Sequence, residues 1–283
     1  MYSIIQTSDE FPLGDWIENG VNWLVANAGP FFDALSWPIG QVLDNAEAFL
    51  LWLPWYVVLF AIAAAAWFRK GWKIALLSVI GLILVELMGY WDATMTTLSM
   101  ILTALVFCVV LGIPLGILMA KNENVEGVAR PLLDAMQTIH PFVYLVPIVM
   151  LFGIGKVPGT LATIIFSLPP ITRLTNLGIQ HIPKGVVEAG EAFGTSDLQL
   201  LFEIQMPLAL PSIMAGLNQS LMLALSMVVI VALIAGGGLG QEIYGAVSSL
   251  QIGQAVESGL AVLILAIVLD RISQTSQQTT TAS

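Results

Sequence analysis

The chain has 283 residues, of which 57% are apolar and only 10% charged, with nine Lys or Arg in all and a mean hydropathy of +0.88. That leaves too little charged surface for an ordinary soluble domain of this size, and a net charge of −10 argues against nucleic acid, whose phosphates need Lys and Arg, and against anionic lipid as a specific partner. The single cysteine, Cys108, lies in an apolar run, so no intramolecular disulfide and no thiolate metal cluster is expected.

Residues 1–48 carry seven acids and no Lys or Arg. Without a basic n-region, a cleaved secretory signal is not expected. Leu13, Trp16, Ile17, Val21 and Leu24 follow helical spacing, with Asp15, Glu18, Asn19 and Asn22 opposite them. The pattern predicts a short amphipathic helix, lying along the outer membrane interface or packed on the bundle rim.

From residue 49 the chain supplies runs long enough to cross a bilayer, such as "FLLWLPWYVVLFAIAAAAWF" (49–68). Backbone groups in lipid must be satisfied internally, so these runs are read as helices. Seven spans are predicted, near 50–68, 74–91, 95–120, 138–155, 158–178, 212–235 and 259–270. The fold class is therefore all-α, a polytopic transmembrane bundle. With the N-terminus outside, eight of the nine basic residues fall on inner loops and only Lys156 falls outside, as the positive-inside rule requires. Residues 49–91 then form two peripheral spans, 92–271 the core, and the polar 272–283 a disordered tail.

On this topology residues 179–211 face the cytoplasm. Pro183 suits a first helical turn, "GVVEAGEAF" continues as a short helix, and Gly194 can take the positive φ that ends it. Ser196 and Gln199 form an S-x-x-Q capping box that opens a second helix, "DLQLLFEIQ", expected to stop before Pro207. Val186, Ala189, Gly190 and Phe193 share a face of the first helix, beside Glu188 and Glu191. Such a face suits docking, with Phe193 filling a pocket and the acids meeting basic groups. A loop that merely joins two spans is the plainer alternative.

This segment resembles the EAA signature of ABC importer permeases: E-A-A, three residues, G, nine residues, I-x-L-P. The matching residues are Glu188, Ala189, Gly190, Gly194, Ile204 and Pro207, with Gly190 in place of an alanine and Met206 in place of a leucine. The stretches "MQTIHPFVYLVPIVMLFGIGKVPG", "IIFSLPPITRLTNLGI" and "AGLNQSLMLALSMVVIVALIAGGGLGQ" are similar to the permease subunits of bacterial glycine betaine and proline betaine importers. His140 before Pro141 departs from that family's pattern. The resemblance implies residence in the bacterial inner membrane and a homodimer of permeases on two ATPase subunits, which bind the ATP and Mg. It also implies an extracytoplasmic solute-binding protein and a coupling elbow at 183–207 that seats in the ATPase.

No phosphate-binding loop occurs, since "GIGKV" lacks the upstream glycine and the Ser/Thr, so ATP hydrolysis is assigned to a partner. Prolines 141, 147, 158, 169 and 170 break spans four and five, and backbone carbonyls freed at membrane depth are tolerated where they are buried or line a cavity. Pro141, Tyr144, Pro147, Asn218, Gln219 and Ser226 are the candidates for lining a translocation path, against ordinary interhelical hydrogen bonding. Glu86, inside span two, and His140 define the rival reading, a proton-coupled secondary carrier of small polar solutes. A membrane scaffold without transport is a third.

Overall fold

The computed structural model describes residues 13–274, which are helical with no strand among them. The first residues of the acidic segment and the tail from 275 onward lie outside the described residues. Helix α1 (Leu13–Trp52) runs for 40 residues, not the short amphipathic helix expected ahead of the first span. Trp16 and Leu24 are exposed on it, while Ile39 and Leu43 are buried against side chains of the central helices. Residues assigned to an external segment therefore enter the core packing.

The apolar run 49–68 is likewise not one span. Pro54 has no N–H to donate and disfavours a helical residue before it. The chain turns there through 104° into α2 (Trp55–Lys70). Gly71, at φ +91°, reverses it into α3 (Trp72–Leu87), and α4 (Trp91–Lys121) follows. Helix α5 (Glu123–Thr138) has no counterpart among the predicted spans. It meets α6 (Pro141–Phe152) at a 102° bend. With 12 residues α6 is about 18 Å long, so the stretch 138–155 does not cross a bilayer by itself.

Next come α7 (Lys156–Gln180), α8 (Lys184–Ala192) and α9 (Asp197–Gln199). A π-helical segment, Leu200–Gln205, leads directly into α10 (Met206–Val231). Helices α11 (Gly238–Ser248) and α12 (Ile252–Ser273) complete the fold. Three units, Trp91–Lys121, Asp197–Ile234 and Ile252–Ser273, are each long and apolar enough to cross a membrane, and the two bent pairs raise that to five. Each of the seven predicted spans coincides with helix, but apolar length alone cannot see where proline bends the backbone.

The centre is a three-helix seam of α4, α7 and α10 in which glycines set the spacing. A Cβ on Gly116 would lie 2.6 Å from the Thr172 carbonyl oxygen, and one on Gly216 would lie 2.9 Å from the Ile171 Cα. Small residues let helix backbones approach in lipid, where hydrophobic drive between helices is absent. The seam also buries hydroxyls. Thr160, Thr163, Thr172 and Thr175 each donate to the carbonyl four residues back on α7, which satisfies them without a partner helix. Pro169 and Pro170 are buried within α7, where their missing N–H groups leave the Ile165 and Phe166 carbonyls without helical donors.

Candidate functional site

The elbow is built by two helix-end devices. At the end of α8 the N–H of Gly194 donates to the Glu191 carbonyl at 2.9 Å, and that of Thr195 to the Gly190 carbonyl at 3.3 Å. This is the paired bonding of a Schellman termination, and Gly194 carries the φ of +80° that it needs. Ser196 then opens α9 through the expected capping box, its Oγ accepting from the Gln199 N–H while the Gln199 side chain accepts from the Ser196 N–H. Pro183 sits one residue ahead of α8 as its N-cap rather than inside its first turn.

The second helix does not stop before Pro207. It continues through the π segment, whose wider turn absorbs both the missing Pro207 N–H and the clash its ring would make with the Glu203 carbonyl in regular α-helix. The second half of the elbow and α10 are thus one continuous helical unit, Asp197–Ile234. Leu201 roots that unit in a buried cluster with Ile179, Ala209 and Ile213, so α8 is carried on the ends of α7 and α10.

Gly190 turns away from the face predicted for docking. It is buried, and a Cβ there would meet Leu200 Cδ1 at 2.8 Å and Ile204 Cδ1 at 2.9 Å. The glycine that replaces the signature's alanine therefore seats α8 on its own π segment, and Ile204 is one of the residues it rests against. Val186, Ala189 and Phe193 remain on the outer side with Glu188 and Glu191. Phe193 is 90% exposed and Leu198 and Phe202 are also open, a concentration of apolar surface beside acids that a solvated connecting loop does not need.

The residues predicted to line a path fall in separate places. Gln219 and Ser226 are seven apart on α10 and both exposed, with the Ser226 hydroxyl donating to the Met222 carbonyl at 3.0 Å. Asn218 faces α12 instead, its side-chain oxygen accepting from the Ser273 hydroxyl. Pro141 is buried at the first turn of α6, while Pro147 is exposed further along it. Tyr144 hydrogen-bonds back to the Met136 and Ala135 carbonyls at the end of α5, bracing the 102° bend. Sequence reasoning missed the buried hydroxyls of Thr103 and Ser167, which have no hydrogen-bond partner among the described residues. Their sole sequence signal is a polar residue in the middle of an apolar run.

The two residues of the proton-carrier reading both lie at helix ends. His140 caps α6, its Nδ1 accepting from the Phe142 N–H at 3.4 Å, with the ring stacked on Phe142. Glu86 occupies the last turn of α3, not mid-span. Lys156, the one basic residue outside the positive-inside pattern, pairs with Glu47 of α1 at 2.6 Å, and Thr96 donates to the same carboxylate oxygen at 2.7 Å.

Residues 112–278 match the family described as binding-protein-dependent transport system inner membrane component. The chain is 48% identical over 263 residues to the glycine betaine/proline betaine transport system permease protein ProW of Escherichia coli (strain K12), covering 93% of this chain and 74% of that one. It is 44% identical to the glycine betaine transport system permease protein OpuAB of Bacillus subtilis (strain 168), covering 93% of each. It is 42% identical to the glycine betaine/carnitine transport permease protein GbuB of Listeria monocytogenes (serotype 1/2a, strain 10403S), covering 93% and 94%. In fold it is similar to a chain of the inward-facing MetNI methionine ABC transporter, with a TM-score of 0.56 at 21% identity over 65% of this chain and 94% of that one. These relationships leave the secondary-carrier reading without support. The chain is a transport component of the bacterial inner membrane and belongs to the family of binding-protein-dependent transport system inner membrane components.

Proposed function

We propose that this chain forms the translocation path of an ATP-driven importer for a compatible solute such as glycine betaine or proline betaine, and that its elbow couples the path to a separate ATPase. The observation that carries the coupling is the elbow's construction. A short helix presenting Val186, Ala189, Phe193 and two acids is joined by one glycine hinge to a helix continuous with α10. Force applied to α8 crosses only that joint, held by the Gly194 and Thr195 hydrogen bonds, before it reaches the seam. Glu188 is the polar anchor for the ATPase, Gly194 is the joint that fixes the angle of α8, and Ile204 and Pro207 shape the unit that carries it. The relatives' names supply the solute class.

Two copies of the chain pair with two ATPases, which bind ATP and Mg, and an extracytoplasmic protein delivers the solute. Closure of the ATPases draws the two elbows together and swings the bundle toward the outside, and hydrolysis resets it. Gln219 and Ser226, exposed on α10 of a single chain, are the path-lining residues the geometry favours. Pro141 and Tyr144 shape the neighbouring α5–α6 bend, Pro147 lies further along α6, and Asn218 ties α10 to α12. A zwitterionic solute requires only a weakly polar passage, with tight capture of its quaternary ammonium left to an aromatic cage on the delivery protein.

The test is uptake of labelled glycine betaine into vesicles holding the assembled transporter. Uptake is expected to require ATP and to persist when a proton ionophore collapses the gradient, and its abolition by the ionophore with ATP present would overturn the proposal. Glu188→Lys is expected to insert and fold normally but to lose copurifying ATPase and uptake. Full transport in that variant removes Glu188 from the coupling role.

A further inference from the structure

Helices α2 and α3 are packed side by side but leave an open groove of about 800 Å³ on one flank, within the roughly 300–1,000 Å³ of ligand pockets. Its floor is set by small residues such as Ala64 and Ala75, and its walls by Phe60, Trp67, Trp72 and Leu76. The walls stay exposed, Trp67 at 64% and Trp72 at 61%. Among the described residues no charged side chain lines the groove, so at membrane depth it suits an apolar occupant and not water.

The groove ends at the Gly71 turn, which lies on the side that the positive-inside pattern places in the cytoplasm. Lys70 and Lys73 flank this turn, and neither makes an ion pair among the described residues. The net charge of −10 that argues against an anionic lipid is an average over the chain, and seven of its acids lie in the first 48 residues. Three of its nine bases fall within five residues here, counting Arg69 by sequence.

We infer that this hairpin is a binding site for an anionic phospholipid, one acyl chain lying in the groove and the phosphate held by Lys70 and Lys73. Basic pockets between helices on the cytoplasmic side recognise lipid headgroups in this way, and Trp67 and Trp72 sit where interfacial tryptophans anchor. Charge decides against a second copy of the chain as the occupant. A two-fold dimer through this groove, with its axis along the membrane normal, would bring both copies' lysines to the same edge with no acid between them.

The experiment is native mass spectrometry of the full-length, delipidated chain titrated with phosphatidylglycerol or phosphatidylcholine of identical acyl chains. Wild type is expected to bind one phosphatidylglycerol with a preference of about 25-fold, roughly fivefold for each lysine. Lys70→Gln/Lys73→Gln is expected to bring the preference close to one while still binding lipid. Ala64→Trp, which fills the floor, is expected to lose this one lipid whatever its headgroup. A preference that survives the lysine replacements overturns the assignment, as does an unchanged lipid count in Ala64→Trp. A fall from dimer to monomer in that variant makes the groove a protein interface and equally overturns it. The lysines sit at a turn, Lys73 exposed and Lys70 half-buried, and glutamine keeps most of the lysine stem, so their result stands even if the tryptophan variant does not fold.

Discussion

The seam of α4, α7 and α10 and the elbow at 183–207 both depend on glycine, for opposite physical reasons. In the seam Gly116 and Gly216 sit in ordinary helical backbone and matter because a Cβ would strike the main chain of α7. At the elbow a Cβ on Gly194 would meet nothing within 4 Å, but its φ is +80°, a region L-residues rarely enter. One region needs an absent side chain, the other a permitted angle. The seam is where the chain closes on itself, while the elbow holds its shape through local hydrogen bonds and leaves Phe193 and Leu198 uncovered. A protein driven by an external motor needs both, a bundle that moves as a body and a rigid knuckle with an uncommitted outer face.

The sharpest way to break this contrast is to add a methyl group to each kind of glycine. Gly116→Ala places a Cβ 2.6 Å from a carbonyl oxygen and 2.7 Å from the Thr175 Cβ. Overpacking of a tight core costs about 1–3 kcal/mol, and here the struck atom is backbone, which cannot rotate away. The variant is expected to lower the thermal unfolding midpoint of the whole chain in detergent, and Gly116→Leu to abolish a monodisperse product. An unshifted midpoint for Gly116→Ala means that α4 and α7 are not locked as described.

Gly194→Ala comes next in size. The left-handed region costs a residue with a Cβ roughly 1–2 kcal/mol, but the strain falls on a hinge outside the buried seam. Amide exchange is expected to accelerate around 190–200 with little change in global unfolding, and transport to fall more than stability does. A global destabilisation equal to that of Gly116→Ala would erase the distinction between the two regions.

Much of the elbow was legible in the sequence because its devices are local. Gly194 and the Ser196–Gln199 box each act over three or four residues, and both stand in the structure as read. What the sequence concealed depends on tertiary context. Pro207 reads as a stop, yet the π turn before it lets the helix pass. Glu123–Thr138 is too polar to register as a span, and it is held by partners far along the chain: Glu126 accepts from Asn176 and Gln180, and Asp134 pairs with Arg173. The 104° turn at Pro54 hides inside a run whose composition is uniformly apolar. Among the path candidates, Asn218 and Gln219 are adjacent in sequence but face different neighbours, because successive helical positions are about 100° apart.

Gly190→Ala is the smallest expected effect, and it tests whether burial alone makes a glycine necessary. Alanine in a helix interior gains about 0.5–1 kcal/mol over glycine. Against that, the new Cβ meets Leu200 Cδ1 and Ile204 Cδ1 at 2.8 and 2.9 Å. Those atoms are the free ends of flexible side chains, unlike the carbonyl opposed to Gly116, and a rotamer adjustment moves them at a cost of the same order as the gain. The two contributions nearly cancel, so the unfolding midpoint and the exchange rates of α8 are expected to stay close to wild type, with ATPase copurification retained. This position tolerates alanine because its contacts can yield. A loss at Gly190 as large as that at Gly116 would mean that the π segment packs on α8 as rigidly as the seam packs on itself, and that the elbow is an extension of the core.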